Sequence, residues 1–237
     1  MRVVISQSML FPWVGLLEQV RLADVFVHYN DVQFSKGSFV NRVQLKALTG
    51  QKWLTIPTQN LHLGQKIADV QASAKLDWRT AHRGLVADCL GEAPHASDAT
   101  MLLESVYSRA HSSVGDIARE SLMALVRYFK LDHGRRFMDS ADLGIAGSND
   151  ERVLHIVKSL GGTEYITGHG ASRYLDHAMF ETNGVQVRYM RYRMKPYPQL
   201  HGAFTPFVSA LDLAANCGQA GSQYICSDTV SWREFTQ

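Results

Sequence analysis

Residues 3–29 read VVISQSMLFPWVGLLEQVRLADVFVHY, and their pattern indicates the fold class. Val3–Ser6 is a short apolar run that ends in polar residues, which is typical of a buried strand leading into a loop. Gly15–Ala23 has apolar residues at helical spacing, and Val25–Tyr29 is a second run of β-forming residues. A strand, a short helix and a strand in so short a segment predict two parallel strands joined by a right-handed crossover.

The next segment alternates apolar and polar residues and predicts a β-hairpin. Its strands are expected at Asn41–Ala47 and Lys52–Thr58, and Gly50 supplies the positive φ that the turn requires. Pro57 is expected to end the second strand, because proline has no N–H group to donate to a neighbouring strand.

Helical periodicity recurs further along the chain. Three helices are expected at Asp77–Cys89, Ala99–His111 and Val114–Phe129, so that residues 77–130 would form a helical subdomain. The C-terminal part is expected to contain helices at Glu151–Leu160 and Ala171–Thr182, and strands at Glu164–Thr167 and Val185–Met190. Capping boxes are expected at Ser148 with Glu151, and at Ser209 with Asp212.

Length and composition predict a single α/β domain, 1–237, with a mostly parallel, Rossmann-like or nucleotidylyl-transferase-like sheet, flanking helices, a β-hairpin and a central helical insertion. The 24 basic and 22 acidic residues give a net charge of +2, so nothing in the overall charge favours nucleic acid or a membrane as partner. The 3 cysteines form no C-x-x-C pair and the histidines no metal-binding motif, so we expect reduced thiols and no metal site. No signal peptide and no apolar run of about 20 residues is present, which favours a cytoplasmic protein.

Polar loops follow the predicted strands, and in an open parallel sheet ligands bind beyond the carboxyl ends of the strands. In the first loop, Gln7, Pro12 and Gly15 are candidates for binding a cofactor, and Trp13 is a candidate for lining the substrate pocket. The helix that follows offers free N–H groups to an anion. The alternative is that this turn only packs against the sheet.

The loop after the second predicted strand carries further candidate chemistry. Asp31 is a candidate catalytic base, and Lys36 and Arg42 are placed to hold a phosphate or carboxylate group of a small-molecule substrate. The residues of this segment that are predicted to contact the substrate are Tyr29, Gln33, Phe34, Lys36, Asn41 and Arg42. The alternative is a solvated polar loop without a ligand.

A third polar segment, Gly168–Tyr174, follows the strand predicted at Glu164–Thr167. Glycine lets the backbone approach a ligand closely, so Gly168 and Arg173 are predicted to bind a cofactor phosphate. His169 lies between two glycines, is expected to be accessible, and is the second candidate for acid–base catalysis. Tyr174 is a predicted substrate contact. The alternative for His169 is a turn residue with no role.

Residues 188–195, RYMRYRMK, interleave basic and aromatic side chains. Such a segment could stack bases and neutralise phosphates of a nucleic acid. Because the rest of the chain is not basic, we favour a strand in which Arg188 or Arg191 points at a cofactor phosphate. Tyr197 and Gln199 follow this run and are predicted as further substrate contacts.

Several of these segments resemble the WbqC-like protein family. SQSMLFPWVG at 6–15 resembles the family's QPxxFPxxG opening, and ADVFVHYNDVQFSK at 23–36 resembles its AD-x-F-V-x-Y-D-D-V-Q-F-x-K run. Further matches lie at 41–42, 53–57, 165–168, 174–176, Phe180 and 197–204. Two residues depart from the pattern: Ser8 stands where the family usually has proline, and Asn30 replaces the first aspartate of the pair.

The resemblance implies a role in or near bacterial O-antigen, other surface-polysaccharide or specialised-metabolite pathways. We expect a small-molecule group-transfer enzyme that moves an acyl or aminoacyl group to an amino sugar nucleotide or a related amine. One alternative is an ATP-dependent ligase or nucleotidylyl transferase similar to pantothenate synthetase, although residues 11–15 lack the H-x-G-H motif of those enzymes. Another alternative is a non-catalytic ligand-binding module.

Overall fold

The computed structural model describes residues 1–236. In those residues the strands are β1 (Arg2–Ser6), β2 (Val25–His28), β3 (Arg42–Ala47), β4 (Gly50–Thr55), β5 (Thr58–Gln59), β6 (Gln71–Ala72), β7 (Arg136–Asp139), β8 (Glu164–Thr167), β9 (Gln186–Arg191) and β10 (Asp228–Ser231). The helices are α1 (Val14–Leu22), α2 (Trp78–Leu90), α3 (Ala96–Tyr107), α4 (Val114–Tyr128), α5 (Asn149–Ser159), α6 (His177–Thr182), α7 (Ala210–Cys217) and α8 (Trp232–Phe235).

Six strands form the main sheet, in the order β10-β9-β8-β1-β2-β7. All neighbours are parallel except β10, which runs antiparallel to β9. The predicted parallel pairing of the first two strands is confirmed, with Val3 opposite Val25. β1 lies inside the sheet because its three central apolar residues are buried. The predicted α/β class with a mostly parallel sheet is therefore confirmed.

Helices cover both faces of the sheet. Val4 and Phe26 pack on the face that carries α1 and α4, whereas Val3 and Val25 pack on the face that carries α5 and α6. The crossover from β1 to β2 and the crossover from β8 to β9 therefore lie on opposite faces, and the strand order reverses between β1 and β8. In open α/β sheets this is the position where ligands bind. We call the ends of the five parallel strands the carboxyl edge; it comprises Ser6, His28, Asp139, Thr167 and Arg191.

The helices of residues 77–130 share a hydrophobic cluster with the sheet and the hairpin. This cluster contains Leu103 of α3, Leu122 of α4, Leu45 of β3 and Val4 of β1. β3 and β4 form the predicted hairpin, and Gly50 has the expected positive φ of 108°. None of the helices in residues 1–236 has both the length and the apolar character needed to cross a membrane.

Three local predictions are wrong. Ala171–Thr182 is not one helix: a short 3-10 helix spans His169–Arg173, and α6 begins only after Asp176, whose carboxylate accepts a hydrogen bond from the backbone N–H of Met179. Ser148 makes no side-chain cap on α5, which starts at Asn149 with a positive φ of 52°.

The second predicted capping box is also incomplete. Ser209 accepts a hydrogen bond from the backbone N–H of Leu211, but the carboxylate of Asp212 accepts from the hydroxyl of Tyr197 instead of bonding back to the cap. The periodic pattern also gave no sign of β10, because its four residues include a single apolar one, Val230, among polar residues.

Candidate functional site

Asp31, directly after β2, lies in a buried ion pair. Arg152 of α5 donates to both carboxylate oxygens, and the hydroxyl of Ser140 donates to one of them. The side chains of Arg152 and Asp31 are only 8% and 15% exposed, and the guanidinium lies 5.0 Å from the ring centre of Tyr29. Burial raises the pKa of Asp31, but the hydrogen bonds from Arg152 and Ser140 outweigh it and hold the pKa below its usual value. Asp31 is thus suited to anchoring this edge and is a weak proton acceptor.

Beside this ion pair lies a cavity of about 210 Å³, at the carboxyl ends of β2 and β7. We call it the polar cavity; its lining residues are His28, Asn30, Asp31, Ala68, Gly115, Asp116, Arg119, Asp139, Ser140, Ala141 and Asp142. It is smaller than the roughly 300–1,000 Å³ of sites that enclose a drug-sized ligand. It therefore suits a small molecule or one end of a larger one.

A buried hydrogen-bond network determines what His28 presents to the polar cavity. Asn30 Oδ1 accepts from the backbone N–H of Ser8 at 3.0 Å, so its Nδ2 faces Ser8 Oγ and donates to it, also at 3.0 Å. The Ser8 hydroxyl has no other acceptor among residues 1–236, so the arrangement that satisfies it is donation to His28 Nδ1, 3.0 Å away, with the imidazole proton on Nε2. His28 is fully buried, and its Nε2 has no partner among residues 1–236. Burial, with a smaller effect of nearby Arg119, lowers the pKa of His28 to about 3, so the ring is neutral.

The first turn of α4 forms one wall of the polar cavity. Ser113 caps the helix by accepting from the backbone N–H of Asp116 at 3.0 Å, and the N–H of Val114 donates to a neighbouring carbonyl. The N–H of Gly115 has no acceptor within residues 1–236. Only glycine fits here, because a Cβ atom would lie 2.9 Å from the carbonyl oxygen of Ile67.

The opposite wall is rich in carboxylates. Asp139 pairs with Arg119, whose Nη2 lies 3.1 Å from Oδ2, and Asp31 pairs with Arg152. Asp142 is exposed and makes no hydrogen bond or ion pair with the described residues. The polar cavity therefore combines unpartnered N–H donors on one side with an available carboxylate on the other.

The predicted cofactor residues of the first loop are largely packed into the protein. Pro12 is buried, and its carbonyl accepts from the backbone N–H of Ala210 at 2.8 Å. The ring of Trp13 covers Gly15, so the start of α1 faces an indole and offers no open anion site. Gln7 is half-buried at the carboxyl edge.

We expect Gly15→Ala to destabilise the protein by roughly 1–3 kcal/mol, because the new Cβ would lie 2.2 Å from Trp13 Cη2 and force the ring away. Chemical denaturation measures the effect. Gly84→Ala, in the middle of α2, is the control. The new Cβ would meet no atom within 4 Å, and because alanine has a higher helix propensity than glycine, the substitution should stabilise the protein by about 1 kcal/mol. Equal effects of the two substitutions would contradict the packing of Trp13 on Gly15.

His169 lies on the same edge, at the end of β8. Its Nε2 is 2.7 Å from the carbonyl of Met190 and donates to it, which leaves Nδ1 as the free acceptor. Its ring packs against Tyr192 and Phe235. Gly168 is half-buried and the neighbouring Arg173 and Tyr174 are exposed; none of them lines the polar cavity.

The loop after Asp31 leaves the polar cavity. Phe34 is buried in the core, Gln33 is exposed and forms an isolated β-bridge with Lys66, and Lys36 is exposed. The structure therefore does not bring these three residues together with Asp31.

Asn41 and Arg42 lie at the start of the hairpin. The Nδ2 of Asn41 donates to the carbonyl of Ile56 at 2.9 Å, which fixes the hairpin to the following segment. The guanidinium of Arg42 lies 4.2 Å from the ring centre of Trp53 and makes no hydrogen bond or ion pair with the described residues.

Tyr197 and Gln199 lie in a buried polar cluster beneath the loop that precedes α7. Tyr197 donates to Asp212 at 3.0 Å, and Lys46 donates to Gln199 Oε1 at 3.2 Å. Burial raises the pKa of Asp212 to about 6, opposed in part by the hydrogen bond from Tyr197. These contacts hold the loop in place and do not reach the polar cavity.

The basic residues of β9 have protein partners. Arg188 donates from Nε to Thr229 Oγ1 at 2.8 Å and lies 3.7 Å from Glu164, while Arg191 pairs with Glu234 at 2.5 Å. That one of them points at a cofactor phosphate stays a prediction, and in this structure both have acidic protein partners.

Sequence reasoning missed most of the side chains that line or support the polar cavity, among them His28, Arg119, Asp139, Asp142 and Arg152. His28 had a detectable signal, since it is a polar residue at the end of an apolar strand. Arg152 had none, because it follows Asp31 by 121 residues and only the fold brings them together.

Comparison with known proteins found a matching family model and a similar curated protein. The family model described as the WbqC-like protein family matches residues 7–224. A protein of Mycobacterium tuberculosis (strain ATCC 25618 / H37Rv), described as the uncharacterized protein Rv1507c, is 30% identical over 227 residues, which cover 94% of this chain and 97% of that protein. No solved structure matches.

Proposed function

The chain belongs to the WbqC-like protein family, and from that placement and the polar cavity we propose that it is a small-molecule group-transfer enzyme. It transfers an acyl or aminoacyl group to a small polar amine, such as an amino sugar nucleotide, in the synthesis of a surface polysaccharide or a specialised metabolite. The observation that carries the proposal is the unpartnered N–H of buried His28 in a cavity with a surplus of carboxylates.

The unpartnered N–H of His28 favours a bound ligand. A buried donor without an acceptor costs about 1–3 kcal/mol, and a ligand oxygen that displaces the side chains covering Nε2 would remove that cost. With its pKa lowered to about 3, His28 stays neutral at ordinary pH and keeps its proton on Nε2. It therefore acts as a fixed donor to a hydroxyl or carbonyl oxygen of the acceptor.

The carboxylates favour an amine. The lining residues that the structure describes include four carboxylates and one cation, Arg119. Arg119 pairs with Asp139, and Arg152, which lies outside the lining, pairs with Asp31, so Asp116 and Asp142 carry the remaining negative charge. This excess of negative charge stabilises a protonated amino group and disfavours an anionic one. Asp142 is the carboxylate that would bind the ammonium, because it has no protein partner.

In the proposed reaction, the bound ammonium gives one proton to Asp142, from which it passes to solvent, and the neutral amine nitrogen then attacks the carbonyl carbon of the activated acyl donor. The C–N bond forms, the bond to the leaving group breaks, and the leaving group takes up the second proton, which the nitrogen loses as the amide forms. The ion pair of Asp31 with Arg152 holds the carboxyl edge of the sheet in place. His169 lies two strand spacings from β2, roughly 10 Å, so it would contact the part of a long substrate that extends from the cavity.

We expect Asp142→Asn to weaken binding of glucosamine about tenfold, because the amide removes the charge that pairs with the ammonium, whereas glucose binding stays the same. Isothermal titration calorimetry measures both ligands. Asp88→Asn is the control, since Asp88 is an exposed carboxylate on α2 that is remote from the cavity lining. Equal affinities of wild type and Asp142→Asn for glucosamine would contradict the assignment of the amine site.

The transfer itself is tested by a thermal-shift screen with ATP, coenzyme A, acyl-coenzyme A and nucleotide sugars, followed by mass spectrometry of mixtures. A ligand at a hundredfold over its dissociation constant stabilises by about 2.7 kcal/mol, which such a screen resolves. Amide formation from an activated acyl donor and an amine supports the proposal. Turnover that requires ATP would favour the ATP-dependent ligase over the proposed transferase. Binding of a ligand with no turnover, whichever donor is added, would favour a non-catalytic binding module.

A further inference from the structure

A second cavity, of about 200 Å³, lies on the other side of the loop that follows β1. We call it the apolar cavity; it is lined by Met9, Leu10, Pro12, Trp13, Phe39, Val43 and Phe207. No charged side chain contributes to this lining among the residues that the structure describes. It shares no lining residue with the polar cavity.

The two cavities flank the same short segment. Ser8 bonds to Asn30 of the polar cavity, and the next two residues, Met9 and Leu10, line the apolar cavity. The backbone N–H of Leu10 donates to the carbonyl of Phe39 at 3.0 Å, which fixes the far wall to this segment. The segment of Ser8 to Leu10 therefore contributes to the surroundings of both cavities.

Large aromatic side chains are left accessible at this cavity. Phe39 and Phe207 are 47% and 53% exposed, although both line it, and the ring of Phe207 lies 5.8 Å from that of Trp13. An apolar cavity holds water poorly, and one of about 150 Å³ accepts benzene. The volume here suits an apolar group of about six carbon atoms.

The guanidinium of Arg42, which has no acceptor among the described residues, lies near Phe39, one of the exposed aromatic residues of the apolar cavity. The ring of Phe39 is 6.1 Å from that of Trp53, and the guanidinium of Arg42 lies 4.2 Å above Trp53. Arg42 has no acceptor within residues 1–236, and exposed Lys36 belongs to the same loop. A ligand with an apolar chain and a phosphate group would match both features.

We infer that the apolar cavity holds the chain of the acyl donor, and that this donor is an acyl thioester of a phosphate-bearing carrier such as coenzyme A. The inference rests on the proposed transfer function and selects an apolar acyl donor over an aminoacyl donor. In the step, the amine nitrogen bonds to the thioester carbon, the C–S bond breaks, and the thiolate takes the proton that the amine releases.

The chain site is tested by calorimetric binding of coenzyme A and its acetyl, butyryl, hexanoyl and octanoyl thioesters. Each methylene that enters the cavity should raise the affinity about fourfold, up to about six carbon atoms, after which the gain should stop. Val43→Phe fills the cavity, and Phe207→Ala opens it at an exposed position that tolerates change. Both should remove most of the dependence on chain length, while leaving the affinity for coenzyme A itself unchanged.

The phosphate contact is tested by comparing octanoyl-coenzyme A with octanoyl-pantetheine, which has the same chain without phosphate. Arg42→Met should weaken the first about tenfold and leave the second unchanged. Arg79→Met is a matched control, because Arg79 also lies 4.2 Å from an indole, that of Trp78, on α2.

Binding that does not depend on chain length, or that neither Val43→Phe nor Phe207→Ala alters, would overturn the inference. An equal effect of Arg42→Met on both octanoyl thioesters would overturn its phosphate part. These binding measurements need no turnover. They can therefore confirm the acyl-chain site even if the amine assays refute the transfer reaction, and they can refute that site even if the amine assays support the transfer reaction.

Discussion

Replacing Arg152 by methionine is expected to lower the free energy of unfolding by about 3–5 kcal/mol, since it leaves the carboxylate of Asp31 buried without its partner. The substitution also removes the guanidinium from the ring of Tyr29. For a chain of this length the melting temperature should fall by roughly 10 °C, which differential scanning calorimetry measures.

The matched control is Arg83→Met, which breaks the ion pair with Glu104, where both side chains are 39% exposed. Surface pairs of this kind contribute about 0–1 kcal/mol. A loss at Arg152 no larger than the loss at Arg83 would contradict a structural role for the Asp31 pair.

The same pair predicts a pH dependence. Because its folded pKa lies below the ordinary value of 3.8, Asp31 contributes stability in full above that value, and the contribution is lost as pH falls through the folded pKa. The difference in stability between wild type and Arg152→Met should therefore shrink as the pH falls below the ordinary value of 3.8 toward the lowered pKa of Asp31.

The fold was predictable where local pattern and burial agree. The apolar runs of β1 and β2 are buried on both faces, so their composition alone identifies parallel strands. Because parallel strands end at the same edge of a sheet, the loops that follow β1 and β2 could also be predicted to lie together. The strands β5, β6 and β10 were not predictable, because β5 and β6 have only two residues each and β10 contains a single apolar residue.

The candidate site was predictable only in part. Asp31 was found because it directly follows a predicted strand, whereas Lys36 and Arg42 follow the same strand and lie elsewhere, since the chain turns into the hairpin. Loop direction depends on tertiary contacts such as the bond between Leu10 and Phe39, which no local pattern encodes. Arg119 lies within a helix whose sequence pattern predicts only its buried face.

The two departures from the family pattern are in contact in the fold. Ser8 and Asn30 exchange two hydrogen bonds, and this exchange directs the Ser8 hydroxyl to His28. Proline at position 8 would lack the N–H that fixes the orientation of Asn30. The tautomer of His28, and with it the donor in the polar cavity, therefore depends on this pair of residues.

Asn30→Asp is expected to reverse the chemistry of His28. A carboxylate at position 30 accepts from both the N–H and the hydroxyl of Ser8, so Ser8 Oγ must accept from His28 Nδ1 instead of donating to it. The nearby negative charge should raise the pKa of His28 by about 1–3 units from its value of about 3, since it stabilises the imidazolium. Nitrogen-15 NMR of the ring across a pH titration measures both the tautomer and the pKa.

His82 serves as an internal reference in the same spectra. It is buried on α2, hydrogen-bonded to Tyr107 and the carbonyl of Thr55, and burial lowers its pKa to about 4. Its signals should not change in Asn30→Asp, because its partners are separate from the network of Ser8. If the tautomer and pKa of His28 also stay as in the wild type, Ser8 does not relay the effect of position 30. A wild-type ring that carries its proton on Nδ1 would instead remove the N–H donor on which the acceptor oxygen in the polar cavity depends.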